Sequence, residues 1–375
     1  MNRRHFTLAA TTAALLGALV PAAAFAADID YGKPGSPVKL VVGYQPYYTQ
    51  SWSGVVMRGK KFYEKYLPKG SEVEFQIGLQ GAIVVNNMLA GKQHIGYMGD
   101  MPSIVATTKT EVADIRLVAN LGLAYDQCNA FLVRNDAPQF KDDQEAIRWL
   151  AGKTVAVPKG SCTDRFAQAT FKRFKIEPKE YLNQNIEVIT SNFRAVKLDA
   201  AVMWQPTTSR LVDEGLARLV ATGKSVQEND GGFLAMRADL IKQRPDVVKG
   251  WLEAELDAQL FIADPKNAAE VIKMAKEQTT GFSEKVLWNS LYGRYPDAAG
   301  GGEMRNTMHY TFTPQARELI DRAAAFLHSI KSINTEKVRP EAIEAKWTED
   351  ILKERKLKAP IAEVRALPAS QAPKN

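Results

Sequence analysis

Thr154-Val155-Ala156-Val157-Pro158-Lys159-Gly160-Ser161-Cys162-Thr163-Asp164 reads as a short strand, a turn carrying proline and glycine, and the opening of a helix. The residues up to Val157 are largely apolar and β-branched, as a strand in a covered sheet requires. From Ser161 to Phe174 the apolar positions Phe166, Ala169, Phe171 and Phe174 recur at an approximate three- and four-residue spacing, which predicts a helix. A strand passing into a helix through a glycine turn is one unit of an α/β sheet. The free N–H groups of such a helix start can hold an anion or a polar head near Gly160 and Ser161. Alternatively, Ser161 satisfies them with its own hydroxyl. Arg165 stands one turn further in, where its side chain can add positive charge or point away.

The same alternation extends in both directions. Before this unit, strands are expected at Val38–Tyr44, Ser71–Ile77, Ile95–Met98 and Ile115–Leu121, with helices over Trp52–Tyr66, from Gly81, and around Pro102–Thr108. Around and after it, strands are expected at Asn129–Arg134, Ile186–Thr190, Ala200–Met203 and Leu219–Ala221. Two such blocks, 38–125 and 126–228, predict an α/β protein of two lobes, with mixed sheets covered by helices. From Pro245 to His328 the pattern is mostly helical, with Pro245, Pro265 and Pro314 placed where helices can start. Beyond Glu336 one helix is expected around Ile343–Arg355, then an ordered strap or a frayed end past Lys358.

Composition removes several function classes. With 375 residues and 45% hydrophobic side chains, the chain has enough apolar material to fold, which excludes disorder throughout. Only Cys128 and Cys162 are present, so neither a disulfide scaffold nor a cysteine metal cluster is available. The net charge of +7 sets 49 basic against 42 acidic residues, a balance too even for a nucleic-acid face. Residues 1–26 resemble an export signal: Arg3-Arg4, an apolar stretch through Leu15-Leu16 and Leu19-Val20, then Ala24-Phe25-Ala26. The Arg3-Arg4 pair also resembles a twin-arginine signal. Cleavage there would leave 349 residues and lower the excess to +5, because only Arg3 and Arg4 are lost. Export permits a Cys128–Cys162 disulfide, but two partly buried free thiols are the expectation.

In an open α/β sheet, ligands sit beyond the carboxyl ends of the strands. Five loops satisfy that rule. Gln45, Tyr47 and Tyr48 follow the first strand and bring amide and aromatic groups that can wall a pocket or simply pack on a helix. Gln80 and Gly81 open a helix whose backbone can approach a ligand closely. Gly99 and Asp100 precede Met101-Pro102, a pattern that suits a helix cap as well as a ligand contact. Gly160, Ser161 and Cys162 form the fourth loop, and Trp204 before Gln205-Pro206 is either an aromatic lid or a core residue. Catalytic signatures are missing: there is no Gly-x-Ser-x-Gly elbow, His-Glu-x-x-His helix or Gly-x-Gly-x-x-Gly turn. Gly152-Lys153-Thr154 imitates the end of a phosphate loop, but Ile147 occupies the place of its leading glycine. Cys162 at a helix start can have a lowered pKa, yet no histidine is paired with it in sequence.

Four ordered pieces carry a family resemblance. They are Val42-Gly43-Tyr44-Gln45, the run Leu89-Ala90-Gly91-Lys92-Gln93-His94-Ile95-Gly96-Tyr97-Met98-Gly99-Asp100, the run Gly152 to Ser161, and Asp199-Ala200-Ala201-Val202-Met203-Trp204-Gln205-Pro206. Together they resemble the periplasmic substrate-binding proteins of ABC importers for aliphatic sulfonates, taurine and nitrate, which are related to the thiamine-precursor binders. The resemblance covers about residues 38 to 330. It implies a type II periplasmic binding fold in which residues 36–125 and 230–330 form one lobe and 126–229 a second, inserted lobe. Crossings would fall near Leu121–Ala130 and Gly223–Leu234, leaving 331–375 as a C-terminal extension longer than the family's usual end. It also implies a solute site at Gln45, Tyr47, Gln80, Gly81, Gly99, Asp100, Gly160, Ser161 and Trp204, with Glu228 where taurine-like binders turn an acid toward an amine. Tyr48, Cys128 and Cys162 join that set as departures from the family pattern that bear on the ligand.

The implied function is capture of a small organic anion, sulfonate-like or an aromatic carboxylate or sulfonate, by a periplasmic monomer that delivers it to an ABC permease. Neither cofactor nor metal is implied. Nitrate, a pyrimidine-type nitrogen compound, or an enzyme acting on such a solute are the alternatives. The histidine- and cysteine-rich pattern of the thiamine-precursor synthases is absent, which argues against that enzyme.

Overall fold

A computed structural model describes residues 29–374; the leader expected over 1–26 lies outside them. The first block comprises β1 (Lys39–Tyr44), α1 (Trp52–Lys60), β2 (Glu72–Ile77), α2 (Gly81–Leu89), β3 (Ile95–Gly99), α3 (Asp100–Thr107) and β4 (Ile115–Ala124). The second comprises β5 (Ala130–Arg134), α4 (Asp143–Trp149), β6 (Thr154–Val157), α5 (Cys162–Phe174), β7 (Glu180–Asn183), α6 (Ile186–Arg194), β8 (Ala200–Met203), α7 (Thr207–Asp213) and β9 (Ala217–Thr222). The remainder is β10 (Asp230–Arg237), α8 (Ala238–Gln243), α9 (Pro245–Ala263), α10 (Ala268–Gln278), α11 (Glu284–Leu291), β11 (Met304–Met308), α12 (Pro314–Ser329), α13 (Ala345–Glu354) and β12 (Ala362–Arg365).

These strands form two mixed sheets. The larger has the order β12-β11-β4-β10-β3-β1-β2 and the smaller β7-β6-β8-β5-β9. β1 runs parallel to β2 and β3, whereas β10 is antiparallel to both β3 and β4. The chain leaves the larger sheet after Ala124 and re-enters it at Asp230, and everything between builds the smaller sheet. Each sheet has helices on its faces, so the chain forms two α/β lobes. Leu40, Val42 and Tyr44 of β1 are buried under the long helix α9, whose Trp251 stacks on Tyr63 with ring centroids 5.6 Å apart. In the smaller lobe, Phe131, Phe166 and Phe171 pack together between β5 and α5.

Three local expectations differ from what is observed. Ile186–Thr190 is the first half of α6, and the strand lies earlier, at Glu180–Asn183, paired in parallel with β6. The reason is visible in the side chains. Asn185 caps the helix by accepting the Val188 N–H at 2.9 Å, and Ile186, Ile189, Thr190 and Phe193 bury one face at helical spacing. α1 stops at Lys60 because Lys61 turns left-handed at φ 53°, and a 3-10 turn over Phe62–Lys65 follows. The C-terminal part contains strands as well as helices. β12 pairs antiparallel with β11 and caps the edge of the larger sheet, and Val364 is buried in the core. The tail is therefore an ordered strap: Ile343 bridges Leu117, and α13 lies against β4 and α9.

Candidate functional site

Between the lobes lies a cavity of about 330 Å³. From the larger lobe it is lined by Gln45 and Tyr48 after β1, by Gln80, Gly81, Ala82, Val85 and Asn86 at the start of α2, and by Gly99, Pro102 and Val105 around the start of α3. Across it, Pro158, Lys159, Gly160, Ser161 and Cys162 lead from β6 into α5, and Trp204 follows β8. The starts of α2 and α5 thus share one cavity, each bringing the unsatisfied N–H groups and positive dipole end of a helix. Lys159 is the one charged side chain among the described residues that line it. Its ammonium stands over the Tyr181 ring, 5.0 Å from the centroid.

The helix start at Ser161 remains free of its own cap. Ser161 is the N-cap residue in extended conformation; its hydroxyl meets the Thr163 hydroxyl at 2.6 Å but caps none of the helix's backbone N–H groups. Its hydroxyl instead donates to the Pro158 carbonyl at 2.6 Å, while Asp164 reaches back to accept the Gly160 N–H at 2.8 Å. Neither side chain caps the first turn itself. Gly160, at φ 77°, makes the left-handed turn that aims α5 at the cavity. Gly81 is needed for a different reason: a Cβ there would overlap the Pro102 ring, so α2 and α3 approach this closely only without one.

Two buried polar atoms of the floor have no partner in the protein, the Gln45 Oε1 and the Tyr48 hydroxyl. Burial, with Asp230 and Asp100 nearby, pushes the Tyr48 phenol well above its ordinary pKa, so it stays a neutral donor. The Tyr48 ring meets Trp204 edge to face with centroids 6.5 Å apart, which closes an aromatic corner across the lobes. Ala82, Val85, Pro102 and Val105 complete an apolar flank.

Nine residues singled out from the sequence meet at this cavity: Gln45, Tyr48, Gln80, Gly81, Gly99, Gly160, Ser161, Cys162 and Trp204. Four do not. Tyr47 points the other way, packing on Phe282 and bonding Thr280 through its hydroxyl at 3.2 Å. Asp100 is fully buried beside the cavity, where Oδ1 accepts the Met101 N–H at 2.7 Å and Oδ2 meets Arg165 Nη2 at 3.2 Å. Burial raises the Asp100 pKa against the pull of Arg165. Glu228 lies outside the cavity and pairs with Arg165 at 2.7 Å. Cys128 is buried in the crossing between β4 and β5, and it is disulfide-bonded to Cys162. The expectation of two free thiols is thereby corrected, since no free cysteine exists among the described residues. Their separation of 34 residues gave no sign that the fold brings the two Cα atoms to 6.1 Å. Arg165 does not line the cavity and turns to Asp100 and Glu228, which take up its charge.

The lining residues missed from sequence have different origins. Val85 and Val105 follow from helical spacing once Gly81 and Asp100 are accepted as helix starts. Ser332 had no signal at all, because it reaches the cavity from the extension after α12.

Comparison with known proteins agrees with this architecture. Residues 33–276 match the model of the NMT1-like family. The taurine-binding periplasmic protein of Escherichia coli K12 is 26% identical over 250 residues, which cover 64% of this chain and 72% of that protein. Two solved structures share the fold. The alkanesulfonate-binding protein SsuA from Xanthomonas axonopodis pv. citri, bound to MOPS, superposes with a TM-score of 0.63 at 18% identity, covering 83% of this chain and 99% of that one. The nitrate-binding protein NrtA from Synechocystis PCC 6803 superposes with a TM-score of 0.68 at 15% identity, covering 92% and 93%. With the match running through both sheets and across the cavity between them, the chain belongs to the NMT1-like family.

Proposed function

We propose that this protein is the solute-binding component of an ABC importer and captures a small organic anion, sulfonate or carboxylate, in the cavity between its lobes. One observation carries the reading: the starts of α2 and α5 border a cavity that Lys159 helps to line and that has no carboxylate on its described walls. Such a wall favours negative charge. The flank of Val85, Pro102, Val105, Tyr48 and Trp204 suits an organic body more than a bare inorganic ion. The taurine-binding relative and the sulfonate-binding structure support an organic anion, and the nitrate-binding structure supports an anion in the wider sense. On this reading the protein works in the periplasm as a monomer, closes over its solute by hinge motion and presents the closed form to a membrane permease. No covalent chemistry is assigned to it. The thiol that a catalytic reading would draw on, Cys162, is held in a disulfide.

The test is a thermal-shift and calorimetry panel on residues 27–375: taurine, ethanesulfonate, benzenesulfonate, benzoate, nitrate, uracil and, as the opposite charge, choline. A sulfonate or carboxylate is expected to raise the melting temperature by mass action. Stabilisation by choline or uracil alone would overturn the anion reading. Turnover of the bound anion would replace the transport role with an enzymatic one.

A further inference from the structure

Arg165 sits on α5 in the smaller lobe, is only 4% exposed, and spends its donors on other parts of the molecule. Nη1 donates to Glu228 Oε2 at 2.7 Å, and Nη2 donates to the Asn229 carbonyl at 2.7 Å and to Asp100 Oδ2 at 3.2 Å. Glu228 and Asn229 belong to the second crossing, between β9 and β10, while Asp100 opens α3 on the larger sheet. Arg322 of α12 approaches the same Glu228 carboxylate at 3.8 Å and bonds the Asn229 side chain. One turn earlier on α5, Cys162 is bonded to Cys128 in the first crossing, between β4 and β5. The first crossing is also tied to the end of the second, because the Cys128 N–H donates at 3.0 Å to Oδ2 of Asp230, the first residue of β10. The cavity end of α5 is therefore moored to both crossings and to the opposite lobe.

We propose that Arg165 is a positioning residue for solute capture: it holds the Gly160–Cys162 helix start opposite Gly81 and sets the angle between the lobes. The proposal rests on the reading of the cavity as the solute site, but its geometry does not need a ligand. A planar guanidinium can hold two carboxylates and a carbonyl at once, which a lysine ammonium on its flexible stem matches poorly. Without that cation, Asp100 and Glu228 lose their shared partner. The helix start then loses its tie across the lobes, which are free to part, while Asp100 is left a buried carboxylate without its cation, at a cost in stability.

Hydrogen exchange and small-angle scattering of the unliganded protein test this, alongside calorimetry with ethanesulfonate. In Arg165→Met the amides of Cys162–Asp164 are expected to exchange about tenfold faster, with those of Val155–Val157 little changed. The radius of gyration should rise, and ethanesulfonate affinity should fall by about tenfold as the closed fraction shrinks. Arg165→Lys should fall between. In Arg165→Met/Asp100→Asn, which removes the buried unpaired carboxylate, the melting temperature should return toward wild type while exchange and radius stay altered. Wild-type exchange and radius in that double variant, or effects that merely track melting temperature, would overturn the proposal. If wild type ignores every anion, the solute reading fails separately, and exchange and scattering still decide the role of Arg165.

Discussion

Lys159 and Trp204 lie on the same wall of the cavity but contribute different physics. Lys159 is exposed and supplies charge at the cavity's edge, so Lys159→Met should weaken binding of a sulfonate by only about 0.5–1 kcal/mol and reduce its salt dependence. Trp204→Ala removes apolar surface and should weaken an aryl sulfonate far more than nitrate, a contrast that calorimetry reads directly. A second residue of interest is distant from the cavity. Glu255 on α9 is fully buried, accepting from the Tyr97 hydroxyl and from Gln259, each at 2.9 Å. Burial lifts its pKa to about 7, against the opposing hydrogen bonds from Gln259 and Tyr97. A carboxyl whose pKa rises on folding binds its proton more tightly in the native state. Stability is then greatest at low pH and declines as pH rises from the unfolded value of about 4.5 through 7. Glu255→Gln should flatten that decline by up to about 3 kcal/mol in denaturant titrations between pH 5 and 8. Buried Asp100 and Asp230 are shifted the same way and should leave a residual slope. At this scale the sequence exposed residue types and loops but not directions. Tyr47 and Tyr48 are adjacent in the chain, and only the fold sends one to Phe282 and the other to the cavity.

Among the elements, α5 is the best-read and the most heavily tethered. Its apolar spacing was plain, and Phe166 and Phe171 are buried as that spacing requires. The Cys128–Cys162 bond closes a loop of 34 residues and restricts the unfolded chain accordingly. Reducing it, or replacing both residues by serine, should lower stability by about 2–4 kcal/mol in denaturant melts. Solute affinity should drop with it, because Cys162 borders the cavity. An unchanged midpoint after verified reduction would mean that the crossing holds α5 without the bond. α6 shows where local reading failed. Ile186-Glu187-Val188-Ile189-Thr190 is rich in β-branched residues, and strand propensity favours it. Capping by Asn185 and burial of a helical face outweigh that preference. Propensity is worth tenths of a kcal/mol per residue, whereas packing a face on a sheet is worth several.

Across the whole molecule, the strap after α12 matters more than its composition suggested. β12 covers the edge of β11 and buries Val364, so a chain ended at Lys358 should lose at least about 2 kcal/mol and aggregate through the bared edge. Melting temperature and the soluble fraction measure both effects. The segment also places Ser332 on the cavity wall, joining a region read as an extension to the proposed solute site. The order of strand, loop and helix by itself determined that this is an α/β protein with two covered sheets and a cavity lined by loops at the strand ends. Those features follow from local apolar periodicity and turn chemistry, which neighbouring residues encode. Tertiary structure alone decided that Cys128 meets Cys162, that Arg165 reaches Asp100 across the lobes, and that Ser332 borders the cavity. Each is a meeting of residues 34 or more positions apart in sequence, and such meetings depend on how whole sheets pack, which no local pattern records.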